Sequence, residues 1–200
     1  MRTIVGLGNP GRVYAGSRHN VGFAVIEELA RRWQWRVGPV RHGTRSAHGV
    51  IAEQPTRLVE PQIYMNLSGD ALAELDPPAD VGDLIVVHDD LDLEPGCVRL
   101  KRGGGTAGHH GLDSVVARFG PTFTRVRVGV GHPEPGHDTA AYVLSPLFDN
   151  PDRDMVGAAV QRAADAVEYL LVNGVEAAMN VFNVRTKGAK ASAAVPMGRD

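Results

Sequence analysis

An uninterrupted apolar run, Asp83-Leu84-Ile85-Val86-Val87-His88, is the clearest indication of fold class in this chain of 200 residues. A strand without polar alternation is typical of the centre of a sheet that helices cover on both sides. A second short buried strand is predicted at residues 2–7, and residues 125–131 alternate with the period of a strand. Together these segments predict a sheet with a buried centre.

Segments with helical periodicity separate these strands. Apolar residues recur at helical spacing from Asn20 to Trp33, where a helix is predicted. Further helices are predicted over 68–75, 111–119 and 152–172, and further strands near 47–53, 57–60 and 97–101. Because the two kinds of element interleave, the predicted fold class is α/β, a single domain with a mixed twisted β-sheet and helices on both faces. Residues 1–183 make up this domain, and residues 184–200, which lack periodicity, are expected to form a disordered tail.

Composition excludes several classes of protein. Cys97 is the single cysteine, so an internal disulfide framework and a cysteine-rich zinc site are excluded. No apolar run approaches the length of a membrane span, and the N-terminus enters a strand without a signal peptide. With 43% hydrophobic and 22% charged residues, the chain is expected to be a soluble cytoplasmic protein.

The net charge of −2 conceals a strong local pattern. Residues 1–48 carry a net charge of +6 and residues 99–131 one of +5, whereas residues 76–98 carry −7 and residues 132–183 carry −6. The mean argues against coating nucleic acid by bulk charge, but screening acts over about 10 Å, so local charge decides what docks where. Both basic segments border glycine-rich motifs.

The first glycine-rich motif, Gly6-Leu7-Gly8-Asn9-Pro10-Gly11, matches the dinucleotide-binding fingerprint directly after a strand. The loop that continues to Arg18 prevents a helix from opening at the third glycine, and no acidic residue ends a second strand at the required distance. We therefore interpret the motif as a tight turn that brings Asn9 close to a ligand. The second motif, residues 103–108, leads toward a helix N-terminus, where backbone N–H groups can hold phosphate or a polarised oxygen.

Polar residues with catalytic chemistry occur at three further places. His19 lies at a loop-to-helix junction, Asp89 follows the central strand at the end where α/β proteins bind ligands, and Asn66 lies in a polar turn. Each has an ordinary structural explanation by itself. Together they supply a base, an orienting carboxylate and amide donors without a cofactor signature, which suits hydrolysis of an ester or amide on an anionic substrate.

A metal-dependent hydrolase is an alternative interpretation of the same region. Its ligands would come from Asp89, Asp90, Asp92, His109 and His110. The spacing of these residues matches no zinc or calcium motif, so neither a metal nor another cofactor is expected.

The motifs in their order and spacing resemble the bacterial-type peptidyl-tRNA hydrolase family. The matching segments run from Val5-Gly6-Leu7-Gly8-Asn9-Pro10-Gly11 through Arg18-His19-Asn20-Val21-Gly22, Met65-Asn66-Leu67-Ser68-Gly69 and His88-Asp89-Asp90-Leu91-Asp92-Leu93 to Val128-Gly129-Val130-Gly131-His132-Pro133. This family cleaves the ester between a peptide and the 3′-terminal ribose of tRNA, and so recycles tRNA from peptidyl-tRNA that has dropped off ribosomes.

The resemblance implies a role for four residues of the catalytic site. His19 would be the general base that activates water, and Asp89 would hold its tautomer and support the imidazolium. Asn66 would bind the substrate and the developing oxyanion. Asn9 would separate N-blocked from free aminoacyl-tRNA, because a free α-ammonium group would be left unpaired beside it.

The resemblance also implies how tRNA is bound. Tyr14 and Tyr64 match aromatic positions near the 3′ end of the tRNA, where a ring can stack on a base, although the family typically has Phe at the second. Arg99, Lys101 and Arg127 match basic positions that clamp acceptor-stem phosphates, a contact that positions tRNA without reading its sequence. The partner would be peptidyl-tRNA, bound by a monomer with no membrane contact.

His110 departs from the pattern of the family, which usually has Asn in the Gly-His-Asn-Gly motif. The Asn helps to hold the substrate and the catalytic water, whereas His110 is bulkier and can carry a charge. The departure concerns details of the site more than the activity. A non-catalytic RNA-binding relative of the family is the alternative, against which His19, Asp89, Asn9 and Asn66 are all present.

Overall fold

The computed structural model describes residues 1–76, 79–147 and 152–184. Apart from Val184, the tail expected at residues 184–200 lies outside the described residues. Within the described part, the predicted interleaving of strands and helices is confirmed, and the elements form one sheet with helices on each side.

The sheet has six strands in the order β2-β3-β1-β4-β6-β5. Strands β3, β1, β4 and β6 are parallel, while β2 and β5 run antiparallel at the two edges, so the prediction of a mixed sheet is confirmed. The strands are β1 Arg2–Gly6, β2 Thr44–Ile51, β3 Gln54–Pro61, β4 Leu84–Asp90, β5 Val98–Arg102 and β6 Thr124–Gly129. The apolar run that indicated the fold class therefore lies in β4, between two parallel neighbours.

The described residues contain six α-helices and three short 3-10 turns. The helices are α1 Val21–Arg32, α2 Ser68–Ala73, α3 His110–Phe119, α4 Thr139–Leu144, α5 Arg153–Asn173 and α6 Val175–Phe182. The 3-10 turns are Arg18–Asn20, Met65–Leu67 and Val81–Asp83. Two of these turns, before α1 and before α2, carry residues that the sequence singled out.

Successive residues of the central strand pack into two different cores. Ile85 and Val87 belong to the cluster under α1, α5 and α6, whereas Leu84 and Val86 belong to the cluster under α2 and α3. All four side chains are at most 2% exposed. Because side chains alternate across a strand, both faces of β4 need an apolar cover, and this explains the absence of polar alternation.

The first glycine-rich motif serves the packing of α1 on β1. A Cβ atom on Gly8 would lie 2.7 Å from the ring of Phe23, and one on Gly6 would collide with the backbone of Gly22. Glycine is therefore required for the close approach of strand and helix. The 3-10 turn Arg18–Asn20, directly before α1, contacts β4 of the sheet.

The structure differs from the predicted elements in three places. Ala52 and Glu53, predicted inside a strand, form the turn of the β2–β3 hairpin with φ of 48° and 62°. Helices α4 and α6 were not predicted, because they span only 6 and 8 residues, and short segments give a weak helical pattern in the sequence. Helix α4 begins where the Asp138 side chain accepts a hydrogen bond from the N–H of Ala141 at 2.9 Å.

Candidate active site

A cavity of about 760 Å³ lies at the carboxyl ends of the parallel strands, where the turns before α1 and α2 and the N-terminus of α3 meet. Seven of the predicted site residues line it: Asn9, Tyr14, His19, Tyr64, Asn66, Asp89 and His110. Helix α4 contributes the opposite wall through Thr139, Ala140, Val143 and Leu144. The structure therefore brings together the predicted base, carboxylate and amides.

His19 and Asp89 form a hydrogen-bonded pair across 70 residues of sequence. The Nδ1–H group of His19 lies 3.0 Å from both carboxylate oxygens of Asp89, and His19 Nε2 makes no hydrogen bond to a described residue. Asp89 is 4% exposed. Burial raises the pKa of its carboxyl group, but the neighbouring His109 and His19 outweigh burial and hold the pKa far below its usual range. Asp89 is therefore an anion that orients His19.

Arg18 fixes the turn that carries His19. Its side chain is 2% exposed and lies 4.0 Å from the ring centroid of Tyr142 in a cation–π contact. It also donates a hydrogen bond to Ser145 Oγ at 2.9 Å and pairs with Asp152 at 3.5 Å. These contacts attach the turn to α4, so the base and the opposite wall of the cavity are held together.

The side chain of Asn9 has a defined orientation. Its Oδ1 accepts a hydrogen bond from the N–H of Met65 at 2.9 Å, while its backbone pairs with the side chain of Asn20. Because this bond identifies Oδ1 as the acceptor, the other end of the amide group is the Nδ2 donor. No described residue accepts a hydrogen bond from Nδ2. Asn9 therefore presents an N–H donor at the cavity wall, next to the turn that carries Asn66.

Asn66 and the two tyrosines lie nearer to solvent. Asn66 is exposed in the turn Met65–Leu67, and its side chain makes no hydrogen bond within the described residues. Tyr64 is 65% exposed, and Tyr14 is partly exposed in the loop before His19. An amide donor and two rings are thus available at the mouth of the cavity.

His109 is a second partner of Asp89, and sequence reasoning did not identify this contact. Its Nε2–H donates to Asp89 Oδ1 at 2.9 Å, and its Nδ1 accepts from the N–H groups of Gly111 and Leu112 at 3.1 Å and 3.3 Å. His109 is therefore the N-cap of α3. The sequence signal was its position two residues before the helix predicted over 111–119. Since His109 occupies these two N–H groups, they do not offer the anion site expected at this helix N-terminus.

His110, the departure from the family pattern, is the first residue of α3. Its side chain is 78% exposed, and its Nδ1 lies 3.7 Å from the carboxylate of Asp113 one helical turn away. It lines the cavity but does not contact Asp89. Its imidazole therefore faces solvent, whereas the side chain of His109 is only 9% exposed.

His19, Asp89 and His109 place three potential metal-ligand atoms within 4.8 Å of one another. This group differs from the set considered in the sequence, which drew on Asp90, Asp92 and His110. The hydrogen-bond pattern puts a hydrogen on each ring nitrogen that faces Asp89, whereas a metal ligand needs a free lone pair there. The arrangement favours proton transfer over metal binding.

The predicted phosphate clamp lies outside the cavity, on strands β5 and β6. Arg99 pairs in register with Arg127, and Lys101 with Arg125, so all four side chains share one face of the sheet. Arg127 Nε donates to Asp90 Oδ2 at 2.6 Å. Arg125 is buried and donates to the carbonyl oxygens of the glycine-rich loop, at Gly104 and Gly105. The structure thus brings the three predicted cations together and links one of them to the cavity.

The fold and this site define an α/β protein with a hydrogen-bonded His–Asp pair in a cavity at the carboxyl ends of its parallel strands. Comparison with known proteins agrees with this class. The family model described as peptidyl-tRNA hydrolase matches residues 3–191. A peptidyl-tRNA hydrolase of Rubrobacter xylanophilus is 49% identical over 90% of this chain and 99% of its own length, and one of Syntrophomonas wolfei is 40% identical over 92% and 100%.

Solved structures give the same result. The crystal structure of peptidyl-tRNA hydrolase from Acinetobacter baumannii superposes with a TM-score of 0.83 at 37% identity, over 92% of this chain and 94% of that one. This chain belongs to the peptidyl-tRNA hydrolase family. Within residues 1–76, 79–147 and 152–184, every helix is too short or too polar to cross a membrane.

Proposed function

We propose that this chain hydrolyses the ester bond between a peptide, or an N-blocked amino acid, and the 3′ ribose of tRNA, with His19 as the general base. The observation that carries the proposal is the His19–Asp89 pair, in which Nδ1–H is held by a buried carboxylate at 3.0 Å. This bond leaves Nε2 as the nitrogen that faces the cavity with its lone pair.

The proposed reaction needs no covalent enzyme intermediate. His19 Nε2 takes a proton from water as the water oxygen bonds to the ester carbonyl carbon, and Asp89 stabilises the resulting imidazolium. The amide of Asn66 donates to the developing oxyanion. Collapse of the tetrahedral intermediate breaks the bond to the ribose 3′ oxygen, which receives the proton from His19. The products are a carboxylic acid, which releases its proton to solvent, and tRNA with a free hydroxyl.

Asn9 supports selection of N-blocked substrates. Its amide N–H group points into the cavity because Met65 N–H holds the oxygen end at 2.9 Å. A peptide carbonyl oxygen can accept a hydrogen bond from this donor. A free α-ammonium group would instead meet a second donor in a partly buried pocket and lose its water, which costs binding free energy.

Binding of tRNA is proposed to use the cavity mouth and the face of β5 and β6. Tyr14 and Tyr64 can stack on bases at the 3′ end. Arg99, Lys101 and Arg127 can contact phosphates of the acceptor stem, because the strand register places them on one face. Such contacts suit a monomer that accepts many tRNAs. Because the substrate arises at ribosomes, we place the activity in the cytoplasm, where it recycles tRNA.

The proposal is tested with purified protein and N-acetyl-aminoacyl-tRNA. We expect release of the blocked amino acid, no comparable release from free aminoacyl-tRNA, and a kcat about 10²–10⁴ lower in His19→Ala. Activity should persist in excess chelator, because the site is arranged for proton transfer. Turnover by His19→Ala equal to that of the native protein would overturn the role of His19. Binding of tRNA without any turnover would support the non-catalytic alternative instead.

A further inference from the structure

Asp89 is bonded by two imidazoles, of which the proposed reaction uses only one. His19 donates to both oxygens at 3.0 Å, and His109 donates to Oδ1 at 2.9 Å. The two rings lie with their centroids 4.9 Å apart at 42°. A buried carboxylate shared by two histidines raises the question of which ring can take up a proton.

The hydrogen-bond pattern makes His109 a neutral donor. Backbone N–H groups can only donate, so Nδ1 of His109 must offer a lone pair to Gly111 and Leu112. The single hydrogen of the neutral ring then lies on Nε2, which faces Asp89. A second proton, on Nδ1, would point an N–H donor at the N–H groups of Gly111 and Leu112 and would break the cap of α3. The cap therefore keeps His109 neutral.

The third imidazole of the cluster is also neutral. His88 is 2% exposed and packs edge-on against His109 at 5.2 Å between ring centroids. Its Nδ1–H donates to the backbone oxygen of Asp89 at 2.7 Å, and burial lowers the pKa of the ring to about 3. Among these three rings, His19 is therefore the one with a nitrogen open to the cavity and free to accept a proton.

We propose that His109 is a positioning residue, which uses its fixed Nε2–H to hold the Asp89 carboxylate in place and to share its charge. This inference rests on the proposed function of His19 and Asp89. By taking part of the carboxylate's hydrogen-bonding capacity, His109 limits how strongly Asp89 stabilises the imidazolium of His19. The ring of His19 then stays aimed at the substrate.

The titratable groups around His109 come from three elements. His88 and Asp89 face it from β4, and His19 faces it from the turn before α1. On its own helix, His110 and Asp113 lie on the exposed side. Since Asp89 is the one carboxylate bonded to His109 in the described part of the chain, loss of its Nε2–H donor acts mainly through Asp89 and His19.

Two substitutions separate the two hydrogen bonds of His109. His109→Asn keeps an acceptor near the position of Nδ1, which can still cap α3, but it removes the donor to Asp89. His109→Gln keeps a donor near the position of Nε2 but removes the cap. A merely structural residue would lose activity in both variants in proportion to the loss in Tm.

We expect His109→Asn to keep its Tm and to lose kcat about 10-fold to 100-fold, with KM little changed. The acidic limb of its kcat/KM profile should move to higher pH by about 0.5–1 unit, because Asp89 then stabilises the imidazolium of His19 more strongly. His109→Gln should show a lower Tm with its acidic limb at the native pH. A native pH profile in His109→Asn, or the shift in His109→Gln alone, would overturn the proposal.

Nitrogen-15 NMR of the histidine rings tests the tautomer without substrate. In the native protein, His109 should show a hydrogen on Nε2 and none on Nδ1 from about pH 5.5 to about pH 8. A hydrogen on Nδ1, or a doubly protonated ring in that range, would overturn the inference. If the native protein hydrolysed no peptidyl-tRNA, the proposed function would fail while this spectrum still reported the state of His109.

Discussion

Asn20 and Asn9 hold each other by two reciprocal hydrogen bonds. The N–H of Asn9 donates to Asn20 Oδ1 and Asn20 Nδ2 donates to the carbonyl of Asn9, each at 2.9 Å. Both residues are 8% exposed. Asn9 lies beyond the end of β1, so its backbone does not pair with a neighbouring strand. The side chain of Asn20 makes these backbone hydrogen bonds instead. Asn20, which directly follows the proposed base His19, therefore positions Asn9, the residue proposed to bind the peptide.

We expect Asn20→Ala to lower kcat/KM for N-acetyl-aminoacyl-tRNA about tenfold, mainly through KM, because Asn9 loses the contacts that aim its amide. The side chain of Asn20 makes no capping hydrogen bond to α1, so the helix should be unaffected. Steady-state kinetics of both single variants and the double variant with Asn9→Ala check this. If Asn20 acts through Asn9, the double variant is no worse than Asn9→Ala, whereas additive losses would contradict the relationship.

His110→Asn should preserve or raise activity. The imidazole is 78% exposed, so its removal costs little packing, and an amide can donate to substrate without carrying a charge. The kinetics should be compared with those of His42→Asn, an exposed histidine outside the cavity. A large loss confined to His110→Asn would mean that this ring has acquired a role of its own.

Arg127→Ala and Lys101→Ala should weaken tRNA binding and make it less dependent on salt. Each phosphate contact that is lost should reduce the slope of log K against log salt by about 0.7–0.9. Arg36→Ala is the matched control, because Arg36 follows Trp35, which packs on Gly49 of the opposite edge strand β2. Binding titrations at several salt concentrations measure the slope, and an unchanged slope in both clamp variants would mean that the phosphates bind elsewhere.

Glu60→Gln should stabilise the fold at alkaline pH. Glu60 is fully buried, and burial raises the pKa of its carboxyl group to about 7, although the nearby Arg45 lowers it. In the unfolded chain the carboxyl group of Glu60 has a pKa near 4.5, so the free energy of unfolding falls as the pH rises from about 4.5 to about 7. Above about pH 7 the full cost of burying the charge remains. Removing the charge should raise the free energy of unfolding by about 1–3 kcal/mol near pH 8.

Urea unfolding at about pH 8 and about pH 5 measures this effect. The gain should shrink to less than about 1 kcal/mol at the lower pH, where native Glu60 is protonated. Glu53→Gln, an exposed carboxyl group in the adjacent hairpin turn, should show no gain at either pH. Equal stability of Glu60→Gln and native protein near pH 8 would show that Arg45 compensates the buried charge.

Long-range pairing explains which parts of the fold were predictable. The buried run in β4 and the periodicity of α1 and α5 are local patterns, and the structure confirms those elements with small shifts at their ends. Helix α4 is short and depends on its contact with Arg18, which the local pattern does not contain. The turn at Ala52 and Glu53 uses positive φ in residues that rarely adopt it, so propensity favoured a strand there.

The sequence by itself determined the chemical groups and the end of the sheet to which they belong. His19 and Asn66 precede helices, Asn9 follows β1 and Asp89 lies at the carboxyl end of β4. The carboxyl ends of parallel strands must share one edge of the sheet. Their likeness to a known family rests on the same residues. These properties depend on residue type and order along the chain, which are visible without coordinates.

Only the tertiary structure decided which ring nitrogen of His109 carries a hydrogen. That depends on the direction of the N–H groups of Gly111 and Leu112 at the start of α3, and on the distance of 2.9 Å from His109 to Asp89. A histidine looks the same in sequence whether it donates, accepts or takes up a proton. The geometry of its two neighbours selects one of these states, because each ring nitrogen can satisfy only one kind of partner at a time.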